Sequence, residues 1–268
     1  MARLPYMISL VLYALVALDH LVPGVFGGRL RRWGRPMAWV GAIVHLITLV
    51  ELAIWTEVRP GFPEALSSAS LAAMVAYLVV RTPRFRALGL LLTPLALVLL
   101  GTSLVVPHHQ VAAATQIAGS PWLPIHLGLM FGGMGGFFLS SAVGVVYLVV
   151  RGRLKQKQFT GLKSLPSLDV LDRVLFRSML FGFVFLTLGI GVGGVWAALS
   201  LQEPWTLDPK VLFTLAIWLW YGIALQLRLV GGWRGRWSAL FSIVGFIGLL
   251  VSLGVINFWV NGWHSYGG

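Results

Sequence analysis

Apolar residues run in stretches of about twenty along the whole chain, broken by short connections that carry most of the charge. A helix of roughly 20 residues crosses the hydrocarbon of a bilayer, so each stretch reads as a membrane span. Eight are expected, at about 5–26, 36–56, 64–81, 86–106, 126–150, 177–200, 210–230 and 237–260. The third makes the weakest case, because it is short and Ser67, Ser68 and Ser70 interrupt it. The spans take up nearly all of the 268 residues and leave no room for a soluble domain. The expected architecture is all-α: a polytopic transmembrane helix bundle forming one integral membrane domain over residues 1–268. No segment pairs a short apolar stretch with a cleavage site, so no removable signal peptide is expected.

Composition agrees with the pattern. The chain is 58% hydrophobic and 10% charged, whereas a soluble domain is about a quarter charged. The absence of cysteine excludes disulfides, thiolate catalysis and covalent attachment of haem to this chain. A net charge of +12 would suit nucleic acid if it formed one patch, but it is dispersed. Seventeen of the twenty basic residues fall in alternate connections: 29–35, 81–86, 151–177 and 228–236. The opposite side holds only Arg3, Arg59 and Lys210. This is the positive-inside distribution, which places both termini outside. The charge thus records topology; its expected partners are anionic lipid headgroups, and no nucleic acid.

With that orientation the six histidines sort unevenly. His264, His126, His108 and His109 fall at the outer face, His45 near mid-bilayer, and His20 near the inner end of the first span. The outer connection 195–210, VWAALSLQEPWTLDPK, carries Trp196 and Trp205 and ends on Asp208–Pro209. Aspartate before proline suits a helix start, since the carboxylate caps free N–H groups and proline tolerates the first turn. Tryptophans there also fit an interfacial aromatic belt. A belt does not account for the histidines. Two neutral imidazoles, one on each side, are a common way to hold haem iron six-coordinate and low-spin. His108 and His109 are consecutive, which makes it hard for both to face one metal, and they read as surface residues.

The segment from Trp205 to the NGWHSYGG at 261–268 resembles the end of the haem-handling cytochrome c assembly family (CcsA, CcmC and HemX-like proteins). That family is marked by an outer W-G-x-x-W-x-W-D-P-K-E segment and commonly finishes near G-L-H-S-Y. SPWLPIHLGLM at 120–130, RLKQKQ at 153–158, LPSLDVLDRVLFR at 165–177 and LTLGIGVGGVWA at 186–197 extend the resemblance over 120–268. Before residue 120 it is looser. The resemblance implies haem b at the outer face of a bacterial-type cytoplasmic (inner) membrane, with His126 and His264 as axial ligands. Trp196, Trp205 and Asp208 match the tryptophan-rich element that holds the ring. Leu207 replaces the usual last tryptophan, Glu203 and Pro204 disturb the W-G pattern, and Val211 replaces a glutamate. Gln226 stands where the family's L-H-x-R element has histidine, which puts an internal bis-histidine relay in question. The implied role is a divergent haem transport or assembly factor rather than a complete cytochrome c synthase, with an apocytochrome c or another assembly protein as partner. Two other roles stand beside it: a HemX-like regulator contacting a cytosolic haem-synthesis enzyme through the basic loop 151–177, or a haem-b electron-transfer subunit of a quinone-linked complex.

Three features remain. His45 shares its span with Glu51, and an ionisable group at that depth is a candidate functional residue; it fits either a second metal site or a hydrogen bond within the bundle. GIGVGG at 189–194 satisfies G-x-G-x-x-G but lies inside an apolar span, where dinucleotide binding has no strand-to-helix turn to use. Gly128, Gly132 and Gly136 recur at four-residue spacing, which lets helices approach closely and could also make room for a porphyrin.

Overall fold

The computed structural model describes residues 3–22, 29–55, 61–80, 83–107, 120, 122–160, 165–201 and 209–256. Eight helices account for most of them: α1 (Arg3–Leu21), α2 (Arg29–Trp55), α3 (Phe62–Val79), α4 (Arg86–Val105), α5 (Trp122–Lys155), α6 (Leu168–Leu201), α7 (Pro209–Leu229) and α8 (Arg236–Val251). There is no strand among the described residues. All eight helices are long and apolar enough to cross a membrane, so the expected all-α, multi-pass fold is what forms. The chain divides into two compact units, Met1–Pro107 with Phe159–Pro166, and His108–Gln158 with Ser167–Gly268.

The first unit packs α1 against α2 and α4, and α3 against α4. Its weakest expected span, α3, is a well-built helix because its polar groups find partners inside the unit. The Ser67 hydroxyl meets His45 Nε2 at 2.8 Å, and Ser70 donates to the Ala96 carbonyl at 2.7 Å. At the start of α3 the Gly61 N–H donates to the Glu64 carboxylate at 2.7 Å, satisfying one of the free amides that every helix start leaves. At its end Arg35 donates to the Leu78 and Val80 carbonyls at 2.9 and 3.0 Å. Hydropathy counts the serines against a span. Hydrogen bonding removes that penalty.

The second unit is built around α5 and α6, each 34 residues long. A helix of that length extends about 50 Å, well beyond a hydrocarbon core of roughly 30 Å. The sixth span was expected from residue 177; the helix begins nine residues earlier, at Leu168. The extension holds Asp169, Asp172 and Arg173, which end an apolar run but do not end a helix. Ser167 opens it, its hydroxyl accepting from Val170 N–H at 3.4 Å. Asp172 is then neutralised from two sides. Arg228 of α7 grips both carboxylate oxygens at 2.8 and 2.6 Å, and the Gly235 N–H before α8 donates to Oδ1 at 2.8 Å. Arg228 also donates to Ser238 at 3.0 Å and lies over the Phe176 ring at 4.6 Å. One buried ion pair thus ties α6, α7 and α8 together at the end of the unit where α6 begins.

Removing one partner of a buried pair leaves an uncompensated charge. Arg228→Met should therefore destabilise the detergent-purified protein by about 3–5 kcal/mol. Adding Asp172→Asn should restore much of the lost thermal midpoint. Equal midpoints for the single and double variants would show that the pair does not carry this role.

Candidate functional site

α5 and α6 run antiparallel, and their contact depends on glycine. Stepping along α5, His126 lies at Gly193, Met130 at Gly189, Gly133 at Leu186 and Phe137 at Gly182. A Cβ on Gly182 would come within 2.7 Å of the Phe137 ring, and one on Gly136 within 2.8 Å of the Gly182 backbone. Small residues at four-residue spacing are what allow this approach. The packing reading of the α5 glycines holds at Gly132, where a Cβ would meet Phe185, and at Gly136. Gly128 differs, with nothing within 4 Å of its Cβ position. Of the three, only that position opens onto space, nearly two turns from the start of the helix.

The same register seats His126. A Cβ on Gly193 would lie 2.8 Å from the ring's Cε1 and 2.9 Å from Nδ1, so only glycine lets the imidazole lie against α6. One turn earlier in α6, the Gly189 carbonyl accepts a hydrogen bond from His126 Nδ1 at 2.9 Å. A carbonyl oxygen can only accept, so in the neutral ring the proton sits on Nδ1 and Nε2 keeps its lone pair. This is how metal-binding imidazoles are commonly held: the second nitrogen donates to a carbonyl or carboxylate and fixes ring and tautomer. Trp196, three residues beyond Gly193 and hence on the same side of α6, lies beside the imidazole with ring centroids 6.3 Å apart and planes inclined by 44°. Its Nε1–H is enclosed and has no hydrogen-bond partner among the described residues.

The fit to a haem-type ligand rests on two features: the Nδ1-protonated tautomer of His126 and the buried Trp196 N–H without an acceptor among the described residues. Of the residues expected at such a site, the structure brings His126 and Trp196 together. His264, Trp205 and Asp208 lie outside the described residues, as do His108 and His109. Gly189 and Gly193 were not among the expected site residues. Their signal was present as a glycine pair four residues apart on one span facing a His126–Met130 pair at the same spacing on another.

His45 belongs to the first unit and is fully buried. Its Nδ1 meets the Tyr13 hydroxyl at 3.2 Å and its Nε2 the Ser67 hydroxyl at 2.8 Å, with the Tyr6 ring edge-on at 5.6 Å. Both nitrogens are engaged, which favours the hydrogen-bonding reading of this histidine. Within the described residues, no group of three or more metal-ligating side chains clusters.

Fold and site define a polytopic, all-α integral membrane protein whose second helical unit seats the His126 imidazole against α6. Residues 33–264 match the family described as cytochrome C assembly protein, and the chain belongs to that family. The cytochrome c biogenesis protein CcsA of Guillardia theta is 30% identical over 199 residues, 67% of this chain and 66% of that protein. CcsA of Prochlorococcus marinus strain MIT 9301 is 38% identical over 135 residues, 50% of this chain and 40% of the relative. CcsA of Chlorella vulgaris is 30% identical over 212 residues, 67% of each. The matches span between 32% and 69% of the length of such curated relatives. These relatives are CcsA proteins and lend no support to the HemX-like part of the expectation.

The seat of His126 is testable without any ligand. In spectra of 15N-histidine-labelled protein, the two ring nitrogens of His126 should report the proton on Nδ1 rather than on Nε2. Gly193→Ala forces the ring away, an overpacking worth about 1–3 kcal/mol, and should shift both signals. Gly191→Ala, whose Cβ would meet nothing within 4 Å, should leave them in place. Unchanged His126 signals in Gly193→Ala would contradict the seat.

Proposed function

We propose that this chain is a membrane haem-handling component of cytochrome c assembly that holds haem b between His126 and His264 at the outer face. The observation that carries the reading is the His126 Nδ1 bond to the Gly189 carbonyl, which leaves Nε2 as the ligating nitrogen. Trp196 and Trp205 would hold the ring through their indole surfaces, with Asp208 at the start of α7 fixing the approach of the segment between them. Haem is then cargo, and its iron supplies the coordination bonds that keep it bound until transfer. The chain has no cysteine, so any thiol for covalent attachment belongs to a partner, an apocytochrome c or another assembly protein. His45, engaged on both nitrogens, serves the packing of the first unit in this reading. Membership of the cytochrome c assembly family supports the role, and the basic connections support an inner-membrane orientation with both termini outside.

Spectroscopy on purified protein tests the ligand pair. His126→Ala and His264→Ala should each shift the iron toward high spin. Losing a metal ligand should weaken retention by at least the roughly 10–100-fold typical of losing a ligand's hydrogen-bond support. External imidazole should partly restore the low-spin spectrum in either variant, since it fills the vacated position. Haem bound with an unchanged spectrum in the double variant would show that the ligands lie elsewhere.

Orientation is tested separately, and cleanly, in a chain without native cysteine. In sealed cells an impermeant maleimide should label Ala112→Cys and spare Gln156→Cys. The reverse pattern would put the site on the inner face.

A further inference from the structure

We propose that the Trp196 indole N–H makes the site selective for a carboxylate-bearing porphyrin by donating to one of its carboxylates. The inference rests on the haem reading above. Among the described residues only two buried side-chain polar atoms lack a hydrogen-bond partner, and Trp196 Nε1 is one of them. Other tryptophans of the same unit do not share this state: Trp218 donates to the Thr187 hydroxyl at 2.9 Å, and Trp220 to the Phe241 carbonyl at 2.8 Å. Desolvating an N–H without giving it an acceptor destabilises a fold, so such groups are rare and call for an explanation.

Placement supplies one. Trp196 stands next to an imidazole whose tautomer the fold has fixed, at an inter-ring distance of 6.3 Å. A group there would lie beside a macrocycle bound through His126. The strong acceptors on the rim of haem b are its two propionates; the vinyl and methyl groups accept no hydrogen bond. Because the N–H is enclosed, a carboxylate that reaches it leaves water, the setting in which a charge-assisted hydrogen bond is strongest. Stacking, the role expected of this residue from its type, uses the face of the indole and leaves the N–H free for this second task.

The test compares haem with haem dimethyl ester, in which both carboxylates are masked, by titration into full-length detergent-purified protein. Wild type should bind haem about tenfold more tightly than the ester, the scale of one hydrogen bond to a charged group. Trp196→Phe keeps the aromatic face and removes the N–H; its preference should fall to roughly twofold. Without haem, the same variant should melt at or above the wild-type temperature, because it has shed an unsatisfied donor. A merely structural role would lower that temperature instead and contradict the proposal. Equal binding of haem and ester by wild type would overturn it without reference to any variant, as would an undiminished preference in Trp196→Phe. Failure of the haem reading looks different: neither porphyrin would give a low-spin spectrum that depends on His126.

Discussion

The close approach of α5 and α6 is the constraint from which the rest of the candidate site follows. Two 34-residue helices can lie this near each other only where side chains are missing, and glycine provides the gaps on both. In a bilayer there is little hydrophobic gain in bringing helices together, so close packing and hydrogen bonds must supply the attraction. At the end of the seam that packing takes on a second use. The gap at Gly193 admits the His126 ring, and the approach brings the Gly189 carbonyl within 2.9 Å of Nδ1. One backbone acceptor then determines which nitrogen can bind a metal. The helix contact and the chemistry of the imidazole are therefore a single feature.

Most polar groups elsewhere follow the same rule, that hydrogen-bonding groups find partners within the protein, with His20 Nδ1 the exception among the described residues. Asp172 and Arg228 cancel each other among α6, α7 and α8. Asp19 and Arg86 pair at 3.2 Å in the first unit, where His20 also meets the Tyr77 hydroxyl at 3.0 Å. His45 is closed between two hydroxyls. Against this background an enclosed N–H without an acceptor, as at Trp196, stands out, and so does its place beside the one imidazole at the end of the α5–α6 seam.

Much of this was legible from residue pattern, and the failures have physical causes. Hydropathy located all eight helices, but it started the sixth at 177 because it counts Asp172 and Arg173 as if each stood alone in lipid. The pairing that hides Asp172 comes from α7 and from Gly235, far away in the chain. The serines of α3 misled in the same way, since their partners His45 and Ala96 lie on other helices. Among the candidate residues, His126 and Trp196 were identified by their place in a resemblance to known proteins. Gly189 and Gly193 were passed over because their motif was judged as a nucleotide fingerprint. What they do depends on register between two helices, and no single-span reading contains that information.

The most direct measurement is a high-resolution structure of the protein loaded with haem. The account predicts iron bonded to His126 Nε2, with Nδ1 still donating to the Gly189 carbonyl and the imidazole still resting against Gly193. Iron on Nδ1, or a haem bound with His126 turned away from it, would contradict it.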